Sequence, residues 1–123
     1  MVSTKVLIID DAPHIRRLIA RMLTMSDFES LEAANGREGL EMLKKHHPHV
    51  VTCDISMPVM DGYEFLEAVR QDPELANVPV IVITAIGQEE ETTKARQMGA
   101  NACLTKPFSS SHLVEVIEDL LQQ

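Results

Sequence analysis

The sequence predicts an α/β fold, a doubly wound parallel sheet of five strands with helices on both faces. Three observations predict it. Short apolar runs alternate with amphipathic helical stripes five times in succession; such alternation places each strand parallel to another through a right-handed crossover helix. Two of the runs, Val6 to Ile9 and Pro79 to Ile83, are apolar at consecutive positions rather than at every second one, so both faces of those strands are covered. The runs end on carboxylates and hydroxyls, at Asp10-Asp11, Asp54 and Thr84. Open α/β sheets bind ligands beyond the carboxyl ends of their strands.

Each element follows from local chemistry. Val6-Leu7-Ile8-Ile9 is the first strand and ends on Asp10-Asp11. Pro13 suits the first turn of a helix. Ile15, Leu18, Ile19, Met22 and Leu23 then form one helical stripe, stopped by Ser26-Asp27. Phe28 to Ala33 is a weaker strand whose mixed polarity suggests a sheet edge. Asn35-Gly36 turns the chain into a helix carrying Leu40 and Leu43, which finishes in Lys44-Lys45-His46-His47-Pro48. Cations suit the carbonyl end of a helix, and Pro48 closes it.

Val50-Val51-Thr52-Cys53 is the third strand. It breaks on Asp54 and passes through Met57-Pro58 to a turn at Asp61-Gly62. Phe65, Leu66 and Val69 mark a short helix before the loop at Asp72-Pro73. The fourth strand, Pro79 to Ile83, is ended by Thr84. Glu89-Glu90-Glu91 fits the first turn of the next helix, whose apolar stripe is thin, Ala95 and Met98, and which Gly99 ends. Ala102-Cys103-Leu104 is a brief fifth strand, followed by Lys106-Pro107-Phe108. Ser109 to Ser111 offer an N-cap for a last helix carrying Leu113, Val114, Ile117, Leu120 and Leu121.

The bulk properties narrow the function. With 123 residues, 45% hydrophobic and 24% charged, the chain reads as one globular domain over residues 1–123. A net charge of −8 argues against a general binder of nucleic acid or of anionic membrane. No apolar run approaches the roughly 20 residues a membrane span needs. The segment Met1 to Lys5 meets a strand at once, so no signal peptide is expected. Cys53 and Cys103 fall in apolar runs and read as small buried hydrophobes of a reducing cytosol; a cytoplasmic location is expected. His46-His47-Pro48-His49 reads as a solvated helix end, because Pro48 breaks the spacing a metal site on a helix would need. His14 and His112 read as surface residues at helix starts.

The strand ends carry the chemistry. In the predicted fold Asp10, Asp11, Asp54, Thr84 and Lys106 converge. Three clustered carboxylates repel one another and hold their charge poorly without a cation. An oxygen-rich site with few protein carboxylates suits Mg²⁺, which keeps several waters and also binds phosphate oxygens. A lysine and a hydroxyl suit the remaining oxygens of a phosphoryl group. Asp54 is then a candidate nucleophile that forms an acyl phosphate.

These residues carry a resemblance. The chain resembles a receiver domain of two-component response regulators, of the single-domain chemotaxis type, along essentially its whole length. The matching pieces are Leu7-Ile8-Ile9-Asp10-Asp11, Asp54-Ile55-Ser56-Met57-Pro58-Val59-Met60-Asp61-Gly62, Thr84-Ala85, Gly99-Ala100 and Lys106-Pro107-Phe108. The resemblance implies a flavodoxin-like sheet of strand order 2-1-3-4-5. It implies that Asp54 takes a phosphoryl group from a phosphohistidine of a sensor histidine kinase or phosphotransfer protein. Asp11 would bind Mg²⁺ directly and Asp10 through water, with Asp54 and the backbone carbonyl of Ser56 completing the protein's share. Lys106 would pair with the phosphoryl oxygens, the Thr84 hydroxyl would move toward them, and the Ala85 N–H would help bind them. The Lys106-Pro107 peptide would be cis. Such a chain is not an enzyme with a substrate of its own; it assists its own Mg²⁺-dependent phosphorylation and dephosphorylation and signals to an output protein or domain.

Two positions depart from the pattern or colour it. The family usually carries Tyr or Phe three residues before the site lysine, and here that residue is Cys103. The resemblance assigns that aromatic the coupling of phosphorylation to the face formed by the fourth helix, fifth strand and fifth helix, so Cys103 leaves the coupling open. Ile86, two residues after Thr84, is apolar where the family's attacking water passes, which implies slow self-dephosphorylation. Three other readings compete. A phosphatase or phosphotransferase with an aspartyl-phosphate intermediate would need a substrate pocket and usually a cap domain. A flavin-binding electron carrier would need a phosphate loop where Asp10-Asp11-Ala12-Pro13 stands, and two carboxylates repel a bare phosphate. A receiver-like interaction module working without phosphorylation is opposed by the intact acids, Thr84 and Lys106, and supported by Cys103. Whether the chain stands alone or is a domain of a longer protein is open from sequence.

Overall fold

A computed structural model of the chain describes residues 3–122. The expectation about a signal peptide touches Met1 and Val2, which lie outside the described residues, as does Gln123 at the expected end of the domain.

The apolar runs become strands. β1 (Lys5–Ile9), β2 (Glu29–Ala33), β3 (Val50–Asp54), β4 (Val80–Ala85) and β5 (Ala102–Lys106) alternate with α1 (Pro13–Thr24), α2 (Gly36–His46), α3 (Gly62–Gln71), α4 (Glu89–Gln97) and α5 (Ser110–Leu121). The sheet is parallel throughout, in the order β2-β1-β3-β4-β5. The doubly wound 2-1-3-4-5 arrangement expected from the sequence is therefore the one observed. The mixed-polarity strand β2 lies at an edge.

Successive strand residues point to opposite faces, which splits the core in two. Leu7, Ile9, Val51, Cys53, Val80 and Val82 pack on one side with Leu43 of α2, Phe65, Leu66 and Val69 of α3, and Ala95 of α4. Val6, Ile8, Val50, Ile81, Ile83 and Leu104 pack on the other with Ile19 and Leu23 of α1 and Leu113, Ile117 and Leu120 of α5. The consecutive apolar residues read from the sequence serve these two layers.

Several ends differ from the sequence reading. Thr84 does not end β4; it pairs with Thr105, and Ala85 pairs with Lys106, so both site residues lie inside the ladder. Parallel pairing needs only backbone groups, so it continues past the point where hydrophobicity stops. Asp61-Gly62 is more than a turn. Asp61 caps α3, its Oδ1 accepting from the Glu64 N–H at 2.9 Å while Glu64 Oε1 accepts from the Asp61 N–H at 3.1 Å, a capping box. α1 begins after Ala12, with Pro13 in its first turn and no side-chain cap. Within Ser109 to Ser111 the cap is Ser109, whose Oγ accepts from the His112 N–H. The Lys106-Pro107 peptide is cis.

One side chain that hydrophobic patterning does not mark ties the far end of the sheet. Arg70, at the end of α3, donates to the carbonyls of Ala76, Val78 and Gly99 and to Asn101 Oδ1, at 2.7–3.1 Å. Asn101 Oδ1 also accepts from the Val80 N–H at 2.8 Å, the first residue of β4. A planar five-donor fork is needed to reach both loops at once. Arg70→Ala is expected to lower stability by about 2 kcal/mol, with Arg70→Lys recovering little of it, since one point donor replaces a fork. Urea unfolding checks this: the midpoint should fall with an unchanged slope.

Candidate functional site

Sheet register assembles the site. β1 and β3 are neighbours with Ile9 opposite Cys53, so the next residues, Asp10 just past β1 and Asp54 at the end of β3, stand side by side. Asp11 follows, and each of the three carboxylates offers an oxygen within 4.8 Å of the others. Asp54 pairs with Ile83 of β4, which puts Thr84 one residue beyond, and β5 brings Lys106 opposite Ala85. All the predicted strand-end residues thus meet at one edge of the sheet. The histidines do not form a comparable group. Among the described residues, the acid trio is the one set of three or more His, Cys, Asp or Glu side chains with metal-binding spacing, and His49 Nδ1 instead accepts from the Lys5 N–H at 2.9 Å.

The electrostatics are unbalanced. Asp10 is buried, Asp54 half-buried and Asp11 exposed. One cation faces them: Lys106 Nζ lies 3.8 Å from Asp10 Oδ2 and 3.7 Å from Asp54 Oδ2. Those are long contacts, and Asp10 Oδ2 has no hydrogen-bond partner although it is buried. Its other oxygen accepts from the Ala12 N–H at 2.9 Å. Burial pushes the Asp54 carboxyl above its ordinary pKa; Lys106 opposes this, Asp10 and Asp11 add to it, and a hydrogen bond from the Ser56 N–H lowers it again. A buried carboxylate oxygen without a donor, beside two more carboxylates, is a donor set that fits a hard divalent cation such as Mg²⁺.

The surrounding backbone is shaped for close approach. Gly62 donates its N–H to the Ile55 carbonyl at 2.8 Å, and a Cβ at Gly62 would fall 2.7 Å from the Asp54 carbonyl oxygen, so any side chain there would push the loop off the strand end. Val59 has φ 69°, a genuine outlier for a β-branched residue. It is the centre of a three-residue turn closed by the Met60 N–H on the Pro58 carbonyl at 2.8 Å, a strained form of turn. Met60 in turn accepts from the Gly36 N–H at 3.1 Å. Arg16 donates to the Asp10 carbonyl at 2.8 Å and to Glu32 Oε1 at 3.0 Å, fixing the end of β1 from α1. Sequence reasoning missed Arg16 and Val59. The Asp-Gly pair did mark Gly62, but as a turn rather than as a close contact.

Beside Lys106 an apolar cavity of about 180 Å³ is lined by Ile15, Leu18, Ile19, Met22, Pro107 and Phe108. Leu18 is half exposed there. The two cysteines are free: Cys53 is fully buried as expected, whereas Cys103 is only partly so. No helix among the described residues is long and apolar enough to cross a membrane.

A parallel 2-1-3-4-5 sheet with an acid trio, a hydroxyl and a lysine at its carboxyl edge defines a receiver-type α/β protein. The sequence matches the response regulator receiver domain family over residues 6–118. It is 38% identical to the chemotaxis protein CheY of Halobacterium salinarum over 120 residues, 97% of this chain and 98% of that one. It is 37% identical to the response regulator Rre1 of Synechocystis over 116 residues, 94% of this chain and 50% of that one. A high-resolution structure of chemotaxis response regulator CheY4 of Vibrio cholerae superposes with a TM-score of 0.89 at 32% identity, covering 98% of this chain and all of that chain. The chain spans about half the length of several curated relatives it matches, Rre1 among them. The chain belongs to the receiver domain family of two-component response regulators. Proteins of this family are signalling switches rather than enzymes acting on separate substrates, they generally bind Mg²⁺ at an acidic pocket, and they interact with histidine kinases and downstream effectors.

The raised Asp54 pKa has a direction that can be tested. A carboxyl that binds its proton more tightly in the folded state loses stability as pH rises through its folded pKa, and the loss is absent at acid pH. In metal-free buffer at pH 7, Asp54→Asn is expected to unfold at higher temperature than the wild type. The gain should be small, since Lys106 and the Ser56 N–H offset part of the cost of burial. Thermal melts from pH 7 down through the carboxylate range should show the two curves converging.

Proposed function

We propose that this chain, read as one receiver domain over residues 1–123, is a phospho-accepting signalling switch of a two-component phosphorelay. One observation carries the proposal: the partly buried Asp54 carboxylate shares Lys106 Nζ with the fully buried Asp10, at 3.7 Å and 3.8 Å. A nucleophile must reach its electrophile, and Asp54 is the acid of the trio that combines partial exposure with a lysine partner. In the step proposed, an Asp54 carboxylate oxygen bonds to the phosphorus of a phosphohistidine on a sensor histidine kinase or phosphotransfer protein. The phosphorus–nitrogen bond breaks, and the imidazole nitrogen keeps the electron pair. The product is an acyl phosphate on Asp54.

The other residues have roles that fit their places. Lys106 offsets charge on the phosphoryl oxygens, and the Thr84 hydroxyl and the Ala85 N–H donate to them. Asp10, Asp11, Asp54 and the Ser56 carbonyl would hold Mg²⁺. When bound, the ion offsets the carboxylate repulsion and neutralises developing charge on the transferred group. The apolar cavity beside Lys106, with half-exposed Leu18, suits a helix of the phosphodonor laid against α1. Ile86, 76% exposed on the loop after β4, places an apolar side chain where a polar one could guide water, so the phosphoryl group is lost slowly. The output is a changed α4-β5-α5 face that binds a partner protein or domain. The net charge of −8 supports a protein partner rather than direct contact with nucleic acid or membrane. A cytoplasmic site of action is in keeping with the two free cysteines.

Incubation with acetyl phosphate and Mg²⁺ is expected to add one phosphoryl group by intact mass, and the added mass should decline slowly after the donor is removed. Omitting Mg²⁺ or substituting Lys106→Ala should slow the uptake at least about tenfold, and Asp54→Asn should take up none. No uptake in the wild type, or equal uptake in Asp54→Asn, would favour a receiver-like interaction module that works independently of phosphorylation.

A further inference from the structure

α4 is the least anchored helix of the fold. Its cap residue Gln88 makes no side-chain cap bond, and Ala95 is its one buried residue. α3 buries Gly62, Phe65, Leu66 and Val69, and α5 buries Leu113, Ile117 and Leu120. A helix of nine residues with so little buried surface is not stable on its own. Beyond Ala95 and the Arg70 bonds at Gly99, two side chains hold its first two turns.

Tyr63, in the first turn of α3, reaches across to α4. Its hydroxyl donates to the Glu91 carbonyl at 3.3 Å, and Lys94 Nζ sits 4.2 Å from the centre of its ring. Both contacts are favourable, one a hydrogen bond and one a cation over an aromatic face. Cys103 of β5 makes a weaker approach, its Sγ 3.9 Å from the Thr92 carbonyl. Tyr63 and Cys103 pack against the same side of the core, so a small residue at 103 leaves room for the ring arriving from α3.

Tyr63 is also tied to the acid pocket. The residue before it, Gly62, hydrogen bonds the Ile55 carbonyl at 2.8 Å and packs directly on the Asp54 carbonyl. The capping box holds this first turn as a rigid unit. A displacement of the backbone at Asp54 or Ile55 therefore moves the base of the Tyr63 side chain, with no flexible segment between them.

We propose that Tyr63 is a latch that holds α4 in the resting protein, and that phosphoryl uptake at Asp54 releases it through Gly62. The release half rests on the phospho-accepting function proposed above; the holding half does not. In this chain the aromatic contact to α4 comes from α3 rather than from β5, and Lys94, freed from the ring, becomes available on the exposed face of α4.

The test uses hydrogen exchange and the tyrosine signal together. The chain has one tyrosine and no tryptophan, so its emission reports Tyr63 alone. In the resting protein, Tyr63→Phe is expected to raise exchange at the α4 amides from Thr93 to Gln97 about fivefold, leaving α1 and α5 unchanged, as loss of one hydrogen bond from a locally opening helix predicts. Unchanged α4 exchange, or an equal rise in every element, overturns the latch. In the wild type with acetyl phosphate and Mg²⁺, the emission should change and α4 exchange should rise at least to the Tyr63→Phe level, while Tyr63→Phe takes up phosphoryl groups as the wild type does. Uptake by mass without either change overturns the release. A wild type that takes up no phosphoryl group contradicts the proposed function and the release, and the resting-state comparison still decides the holding contact.

Discussion

Everything at the functional edge depends on three carboxylates being held together against their repulsion. Asp10 and Asp54 come from adjacent strands and cannot separate without breaking the β1–β3 ladder. One lysine faces them at long range, and one oxygen of Asp10 is buried without a donor. The fold therefore carries a local electrostatic cost at this edge, met by the apolar burial of both core layers. A cation or a charged ligand that enters the pocket removes part of that cost, so binding there is favoured by the same repulsion that weakens the resting protein.

The neighbouring loops make sense against this cost. Arg16 clamps the end of β1, Gly62 lets α3 start against the Asp54 backbone, and Val59 keeps an unfavourable φ within the loop between them. Strain of this kind persists only where surrounding contacts over-determine it; here these are the bonds at Met60 and Gly62. The helix that follows β4 is built differently. α4 is lightly packed, and its position depends on a few contacts from α3 and β5. Rigid chemistry at the strand ends beside a loosely held helix is the distribution of stability a switch requires.

Much of this was legible in the sequence, because burial on two faces leaves an unmistakable pattern of consecutive apolar residues. Val6 to Ile9 and Pro79 to Ile83 gave both strands and layers, and polar Phe28 to Ala33 gave the edge. Asp10, Asp11 and Asp54 stood out because charges at the ends of such runs need a reason. Strand ends were less legible: Thr84 and Lys106 lie within the ladder, where backbone pairing does not depend on side-chain polarity. Asp61 as a cap, Arg70 as a fork and Tyr63 as a tether to α4 were hidden for another reason. Arg70 and Tyr63 bond mainly to backbone carbonyls, which every residue carries, so the partner segments give little signal; Asp61 and Glu64 did carry a capping signature, which the Asp-Gly turn masked.

The central claim is that one carboxylate of the three is the acceptor. Borohydride reduces an acyl phosphate to an alcohol, turning a phosphorylated aspartate into homoserine. After acetyl phosphate, Mg²⁺ and borohydride, peptide mass mapping should place a single homoserine at position 54 and leave Asp10 and Asp11 unmodified. Homoserine at Asp10 or Asp11, or label spread over many surface acids, would contradict the account.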